Sequence, residues 1–300
     1  MVKHGWDNLI FDIINTILMF LVLIMVLYPL YFVVIASISE PYEVVSGNLR
    51  FFPKGFSLDA YRNVFENKDV WIGYRNTIFY TVTSVFLSLF LTLPAAFALS
   101  KKYLPWRKIF NWYFLFTMYF SGGLIPMYLL IKSLGLYNKP YTLIILGSFS
   151  VYNLLITRSY YHSSIPEEIY EAAEIDGCGY IGSFIKIAFP LSSPIIAVMA
   201  LYYGVATWNG FFTALVYLSE RDYMPLQIIL RNILVYNQLA LHQIEAGMDE
   251  FEYMEIARRA YMAEAMKYAL IIIASFPLLI AYTFVQKYFI KGIIVGSLKA

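Results

Sequence analysis

The sequence has little charge, one cysteine and three histidines. Asp, Glu, Lys and Arg make up 14% of its 300 residues, whereas about a quarter of an ordinary soluble domain is charged, so a water-soluble fold is excluded. The single cysteine, Cys178, excludes an intramolecular disulfide. The histidines lie far apart, outside any HExxH or CxxC spacing, and we expect no metal site.

Sequence motifs for ATP hydrolysis are also missing. A phosphate-binding loop of the form GxxxxGKS or GxxxxGKT does not occur, so we expect neither catalytic residues nor a cofactor in this chain. Energy for any work that the protein does must come from a partner or from a gradient.

Six uncharged stretches are long enough to cross a membrane, because a helix needs about 20 apolar residues to span the hydrocarbon core. Burying all six in a soluble fold would require far more polar loop surface than the sequence contains. We therefore predict an all-α integral membrane protein, with one transmembrane domain over residues 1–300 and six transmembrane helices. The predicted spans are residues 13–39, 76–100, 109–131, 140–157, 187–219 and 268–286.

Basic residues in short loops indicate which loops face the cytoplasm. Four of them crowd positions 101–108, between the second and third spans, and the carboxyl-terminal tail has three lysines and no acid. Both termini should then be cytoplasmic, with outer loops at 40–75, 132–139 and 220–267. Against the rule, the first outer loop contains five basic residues, which are Arg50, Lys54, Arg62, Lys68 and Arg75.

The loop at residues 158–190, between the fourth and fifth spans, contains a predicted amphipathic helix. Ser164 and Glu167 have the spacing of a capping box, Pro166 suits the first turn, and Gly177 supplies a left-handed stop. The helix could pack on its own protein or meet a basic partner. One face carries Ile165, Ile169, Ala172, Ala173 and Asp176, and another carries Glu167, Glu171 and Glu174.

The sequence EAAEIDGCGYIGSFIKIAFP, at residues 171–190, resembles the EAA loop of permeases in binding-protein-dependent ABC importers. That motif consists of EAA, three residues, a glycine and, about nine residues later, an ending similar to IxLP. Phe189 stands where the family often has leucine. The matching residues are Glu171, Ala172, Ala173, Asp176, Gly177, Ile187 and Pro190.

The resemblance extends along nearly the whole chain to the sugar permeases of this family. Within that branch the chain looks most similar to subunits that import oligosaccharides derived from polysaccharides, with alginate-type uronic acid chains as one candidate. The segments that carry the resemblance are FPKGFS (52–57), FSGGLIP (120–126), WN (208–209) and QKYFIKG (286–292).

The resemblance implies a type I ABC importer permease fold in the bacterial cytoplasmic membrane. This chain and a second homologous permease would form the pathway as a heterodimer, while an external binding protein would deliver the sugar. Two cytoplasmic ATPase subunits would bind ATP and Mg, so this chain would not be an enzyme. The coupling helix that docks on the ATPase would comprise Glu171, Ala172, Ala173, Asp176 and Gly177.

Candidate sugar contacts are aromatic and amide side chains in the spans, because aromatic faces pack on the C–H surfaces of sugars and amides bind their hydroxyls. Asn209 and Phe212 are expected to share one helical face. With 19% aromatic residues, however, most aromatic side chains must serve packing or the membrane interface. The candidates are Tyr152, Asn153, Tyr203, Trp208, Asn209 and Phe212.

Two other classes of protein are alternatives. A proton- or sodium-coupled carrier often has charge pairs within its spans, which are missing here, although backbone carbonyls can coordinate sodium. A membrane-embedded enzyme would need paired carboxylates or histidines near one membrane face, and the sequence offers no convincing set. The outer loop at 220–267 could dock the binding protein or form a solvated cap.

Overall fold

The computed structural model describes residues 6–241 and 250–297. Within these two ranges the chain forms helices, turns and one isolated antiparallel β-bridge, between Ser39 and Phe56. The α-helices are α1 (Trp6–Ser37), α2 (Pro41–Val45), α3 (Asp59–Glu66), α4 (Lys68–Ser100), α5 (Arg107–Tyr119), α6 (Leu124–Ser133), α7 (Pro140–Gly147), α8 (Val151–Ser164), α9 (Glu167–Ile175), α10 (Tyr180–Ser183), α11 (Phe189–Leu191), α12 (Ser193–Asn209), α13 (Phe212–Tyr217), α14 (Leu226–Leu241) and α15 (Glu250–Ser297). A π-helical turn, Phe184–Ala188, joins α10 to α11, and a 3-10 turn, Arg221–Tyr223, precedes α14.

Three described helices are long and apolar enough to cross a bilayer alone. They contain the segments Leu9–Ser37, Lys68–Ser100 and Met254–Tyr288. Three further spans each consist of two helical pieces with a bend between them: 109° between α5 and α6, 46° between α7 and α8, and 80° where the segment Tyr180–Leu191 meets α12. When each bent pair counts as one span, the described helices provide six candidate spans, which is the number predicted. The fifth covers Tyr180–Leu191 and Ser193–Asn209, whereas the predicted span was 187–219.

The three breaks were not predicted from the sequence, which reads there as continuous apolar runs. Gly123, the residue before α6, has a φ of +86° and a ψ of 172°, a non-helical conformation that glycine adopts without strain. Before α8, the Ser150 side chain accepts a hydrogen bond from the Asn153 N–H, so it caps a new helix. Pro194 lies in the first turn of α12, where it has no N–H to continue the preceding helix.

The chain divides into two compact units, Met1–Lys68 with Leu230–Ser275, and Asp69–Ile229 with Phe276–Ala300. In the first unit, the end of α1 packs on the loop after α2 through a buried apolar cluster. That cluster consists of Ile35, Ala36, Val44 and Leu49, with Phe32 and Tyr268 against it. Ala60 of α3 packs on Ala265 and Ala269 of α15, where small side chains let the helices approach closely.

In the second unit, α4 has small polar residues on its buried side. Ser84, Ser88 and Thr92 are fully buried. Thr92 Oγ1 lies 2.7 Å from the Tyr203 hydroxyl, and that hydroxyl accepts a hydrogen bond from the Ser150 N–H at 3.3 Å. Tyr203 of α12 thus connects α4 to the break between α7 and α8, where it satisfies a backbone donor.

The amino-terminal part of α4 holds the start of α14 through three side chains. Thr77 Oγ1 accepts from the Leu226 N–H at 2.8 Å, which satisfies an N–H that has no partner inside the helix. The Asn76 amide donates to the carbonyl oxygens of Asp222 and Met224, and the Tyr80 hydroxyl donates to that of Tyr223. The two backbones approach closely at Gly73.

We expect Gly73→Ala to destabilise the protein. A Cβ at Gly73 would lie 2.9 Å from both the Leu226 Cα and the Ile229 Cδ1, so the start of α14 must move, at a cost of about 1–3 kcal/mol. Gly204→Ala is the matched control, because that Cβ would meet Val85 Cγ2 at 3.7 Å, an ordinary contact. In thermal unfolding in detergent, Gly73→Ala should have a lower Tm than the unmodified protein, whereas Gly204→Ala should not. If the two variants have the same Tm, the close approach at Gly73 is contradicted.

Candidate functional site

The candidate site is built around α9, in the loop that resembles the EAA motif. The helix begins at Glu167 and not after Ser164, which is the last residue of α8. The predicted capping box is therefore wrong. The reason is Pro166: the residue before a proline is disfavoured in helical conformation, so Ile165 is extended, with φ −114° and ψ 115°, and a new helix can start only after the proline.

The carboxyl end of α9 forms the predicted left-handed stop. Gly177 has a φ of +78°, its N–H donates to the Glu174 carbonyl at 3.0 Å, and the Cys178 N–H donates to the Ala173 carbonyl at 2.8 Å. This pair of bonds defines a Schellman motif, so the prediction for Gly177 is confirmed. A Cβ at Gly177 would have no neighbour within 4 Å, which means that the backbone conformation alone favours glycine.

Tyr170 and Glu167 attach the inner side of α9 to the residue that follows α4. Tyr170 is 6% exposed, and Lys101 is 4% exposed. The Lys101 ammonium lies 3.1 Å from the centroid of the Tyr170 ring and 3.4 Å from Glu167 Oε1. A cation over a ring is worth about 2 kcal/mol or more when it is desolvated, so this contact is a strong connection between the two segments.

The surroundings of Lys101 are aromatic. The Phe97 ring of α4 lies 5.8 Å from that of Tyr170, 5.7 Å from that of Tyr161 and 5.4 Å from that of Phe184. Burial lowers the pKa of Lys101, while Glu167 opposes this shift; burial also raises the pKa of Tyr170. The cluster joins α4, α8, α9 and the π-helical turn, so these elements should move together.

Sequence reasoning did not single out Lys101. It used this lysine only to orient the chain, together with its neighbour Lys102. In the structure, Lys101 is buried and Lys102 is exposed. No sequence pattern separates the two residues, because what distinguishes Lys101 is the acceptor ring supplied by α9 far along the chain.

The outer side of α9 remains largely uncovered by the described residues. Ile169 is 40% exposed and Ile175 is 87% exposed, while Glu171, Ala172 and Asp176 are exposed and Ala173 is half-buried. Of the predicted apolar face, Ile165 alone is buried, and it precedes the helix. Helix α9 therefore packs on its own protein through Tyr170, as one of the two alternatives had it, and leaves the predicted apolar face largely exposed.

A concave space of about 440 Å³ adjoins the carboxyl half of α9. On the other side it is bounded by the stacked rings of Tyr103 and Tyr180, whose centroids are 5.0 Å apart. Three acidic residues of one helical face line it, namely Glu167, Glu171 and Glu174. The space is open enough and negative enough to admit a basic side chain from a partner.

Three of the six predicted sugar-contact residues are buried and three are exposed. Tyr203, Trp208 and Asn153 are buried, and the Trp208 ring lies 6.2 Å from that of Tyr74. Tyr152, Asn209 and Phe212 are exposed. The shared helical face of Asn209 and Phe212 is wrong, because α12 ends at Asn209 and α13 begins at Phe212.

A cavity of about 130 Å³ lies beside the break between α12 and α13. None of the six predicted contact residues lines it. Polar groups there come from Thr77, Tyr80, Thr207 and Thr213, and Gly210 forms part of the wall. Over the described ranges, no cluster of three His, Cys, Asp or Glu side chains is placed to hold a metal ion.

Residues 70–295 match a protein family described as the inner membrane component of binding-protein-dependent transport systems. The chain belongs to this family. It is a permease component of an ABC importer, a class of membrane protein that is itself non-catalytic, and the resemblance drawn from the EAA motif is confirmed. Family membership does not support the coupled-carrier alternative.

Close relatives cover almost all of the permease. It is 37% identical to the polygalacturonan/rhamnogalacturonan transport system permease protein YtcP of Bacillus subtilis (strain 168), over 97% of this chain and 99% of that protein. It is 35% identical to protein LplC of the same organism, over 97% of this chain and 95% of LplC. A chain in the crystal structure of a bacterial ABC transporter involved in the import of the acidic polysaccharide alginate matches with a TM-score of 0.83 and 31% identity, over 96% of this permease and all of that chain.

We expect Lys101→Met to loosen α9 in the permease, because methionine fills similar space without the charge that contacts Tyr170 and Glu167. Loss of the cation–π contact, worth about 2 kcal/mol, should speed amide hydrogen exchange in residues 167–177 by tenfold or more. Lys102→Met, at the exposed neighbour, is the control and should leave exchange unchanged. Equal protection of α9 in both variants would show that Lys101 does not hold the helix.

Proposed function

We propose that this permease translocates an acidic oligosaccharide, derived from a uronic-acid polysaccharide and delivered by an external binding protein. One relative is named for polygalacturonan and rhamnogalacturonan transport, and the matching crystal structure belongs to an importer of alginate. Polygalacturonan, rhamnogalacturonan and alginate are all acidic polysaccharides, and both matches extend over at least 96% of the permease. This breadth supports a shared transport role and not merely a shared fold.

In the proposed assembly, the permease pairs with a second, homologous permease, and two ATPase subunits bind ATP and Mg on the cytoplasmic side. Helix α9 is the coupling helix. The observation that carries this role is its two-sided environment: Tyr170 and Glu167 are fixed to Lys101 at the end of α4, while Ile169, Ala172 and Ile175 face outward. A partner that moves α9 therefore also moves α4.

The acidic side of α9 supports docking on a basic surface of the ATPase. Glu171 and Glu174 line the open space beside the Tyr103 and Tyr180 rings, where a basic side chain would meet both carboxylates and aromatic faces. Closure of the ATPases on ATP would push α9 as a rigid body, and the Lys101 contact would pass the displacement to α4. This is a rigid-body transition between two membrane states.

We expect Gly177→Val to reduce transport and substrate-stimulated ATP hydrolysis. A β-branched residue at a φ of +78° is strained by about 1–2 kcal/mol or more, and the strain falls on the turn that ends α9. Membrane insertion and affinity for the binding protein should not change. ATP hydrolysis and uptake in proteoliposomes are the measurements.

Gly177→Asn is the matched control, because asparagine tolerates the left-handed conformation and no atom lies within 4 Å to crowd its Cβ. It should retain most transport. Glu171→Lys, which reverses a charge on the proposed docking side, should resemble Gly177→Val. If Gly177→Val and Glu171→Lys both transport normally with full ATPase stimulation, α9 does not couple hydrolysis to transport.

The six residues that could contact the sugar fall into two groups, according to whether the side chain is buried or exposed. Tyr203 is buried and its hydroxyl makes internal hydrogen bonds, Asn153 is buried, and Trp208 packs near Tyr74, so we assign these three to packing and not to sugar contact. Asn209, Phe212 and Tyr152 are exposed and remain available to a sugar or to the second permease. Asn209, at the break after α12, is our preferred contact.

We expect the transporter, reconstituted with its partners, to take up oligogalacturonate only when ATP is inside the liposomes on the ATPase side. A neutral oligosaccharide of equal length should not be taken up. Asn209→Ala should lower uptake severalfold without loss of complex assembly, because it removes an amide that can bind sugar hydroxyls. Uptake driven by a proton or sodium gradient without ATP would contradict the importer function.

The orientation remains part of the proposal: both termini cytoplasmic, and the loops at 40–75 and 220–267 outside. Residues 242–249 of the second loop lie outside the described residues, so the case for binding-protein docking there rests on the sequence. A thiol reagent that cannot cross membranes should label Asn63→Cys and spare Lys102→Cys, both at exposed positions. The opposite labelling would reverse the topology.

A further inference from the structure

The loop between α2 and α3 returns along α1 instead of extending away from the membrane helix. Contacts near the end of α1 fix both ends of the segment that returns. Leu49 packs on Ile35 and Ala36 of α1. The Lys54 carbonyl oxygen accepts a hydrogen bond from the Glu40 N–H, shortly after α1, at 3.0 Å. Between these two points, residues 50–53 lie beside α1, and we call these four residues the loop tip.

Two tyrosines of α1 bind the backbone of the loop tip. The Tyr28 hydroxyl donates to the Arg50 carbonyl oxygen at 3.3 Å, and the Tyr31 hydroxyl donates to the Phe51 carbonyl oxygen. The Tyr28 and Phe51 rings also meet edge to face, with centroids 6.1 Å apart. Since α1 ends at Ser37 and rises about 1.5 Å per residue, the Cα atoms of Tyr31 and Tyr28 lie roughly 9–14 Å before its end along the helix axis.

This depth places the loop tip at the hydrocarbon region. The uncharged run that contains α1 covers residues 13–39, about 40 Å of helix, and the hydrocarbon core takes about 30 Å of it, or about 20 residues. Any stretch of 20 residues within 13–39 includes both Tyr28 and Tyr31. Backbone carbonyls at that depth find no water and need a protein donor, which the two hydroxyls supply.

The side chains of the loop tip fit a lipid environment. Phe51 is 63% exposed and Phe52 is 78% exposed, and Arg50 on one side and Lys54 on the other are exposed basic residues. The Lys54 ammonium lies 4.0 Å from Glu43, with 54% of its side chain exposed. Aromatic rings flanked by long basic side chains match the boundary between acyl chains and lipid phosphates.

We propose that the loop tip is a membrane wedge: Phe51 and Phe52 insert among the acyl chains of the leaflet at the carboxyl end of α1, and Arg50 and Lys54 reach the lipid phosphates. In the proposed orientation this is the outer leaflet. The wedge accounts for two of the basic residues that lie in the first outer loop against the charge rule, since they bind phosphates at the surface and do not report a cytoplasmic loop.

The test is spin labelling of Phe52→Cys in the complete transporter, reconstituted in a bilayer with cysteine-free partners. Cys178→Ser first removes the chain's single cysteine. Oxygen concentrates in acyl chains, whereas a nickel chelate stays in water, so their collision rates with the label report its surroundings. The matched control is Asn63→Cys, on the exposed side of α3, which should collide mainly with the nickel chelate.

We expect the label at Phe52 to collide with oxygen severalfold more often, relative to the nickel chelate, than the label at Asn63. A nickel-accessible label would show a solvated loop and overturn the proposal. A label protected from both reagents would show that a protein partner covers the loop tip, and this too would overturn it. Phe51→Cys is a second site that should give the same result as Phe52→Cys.

Discussion

Backbone groups inside a bilayer have no water to bind, and this constraint shapes the permease wherever a helix is interrupted. Within the bent span formed by α7 and α8, the Ser150 N–H donates to the Tyr203 hydroxyl. A similar pairing occurs outside the predicted spans, where the Leu226 N–H at the start of α14 donates to Thr77. In the first unit, Tyr28 and Tyr31 supply donors to the loop beside α1. Side-chain hydroxyls thus support the break between α7 and α8, which the continuous apolar sequence conceals.

Hydroxyl and small residues also let the helices of the second unit approach one another. Lipid tails are as apolar as leucine, so close packing rather than water exclusion must hold membrane helices together. The buried side of α4 carries Ser84, Ser88 and Thr92, and Gly73 brings its backbone against the start of α14. Large aromatic residues are consequently left mostly on exposed surfaces, where they are poor guides to a sugar site.

At the end of α4 the permease uses a different kind of contact. The Lys101 ammonium is buried against the Tyr170 ring and close to Glu167, so α9 is attached to a membrane helix by a desolvated charge. Such a contact is costly to break because the ammonium would remain buried without its partner. This stiffness suits the coupling role that we propose for α9, because its inward side is fixed to Lys101 while its outward side, with Ile169 and Ile175, is exposed.

The sequence by itself determined the number of membrane spans, because the bilayer requires long uncharged runs whatever their partners are. It also determined the left-handed stop at Gly177 and the family, since both depend on residues adjacent in the chain. Tertiary structure decided the rest. The start of α9 is an exception, because Pro166 moves it through a local effect on Ile165. The breaks at Ser150 and after Asn209 divide apolar runs that read as continuous. Only the fold distinguishes Lys101 from Lys102, because the Tyr170 ring that binds Lys101 comes from a distant part of the chain.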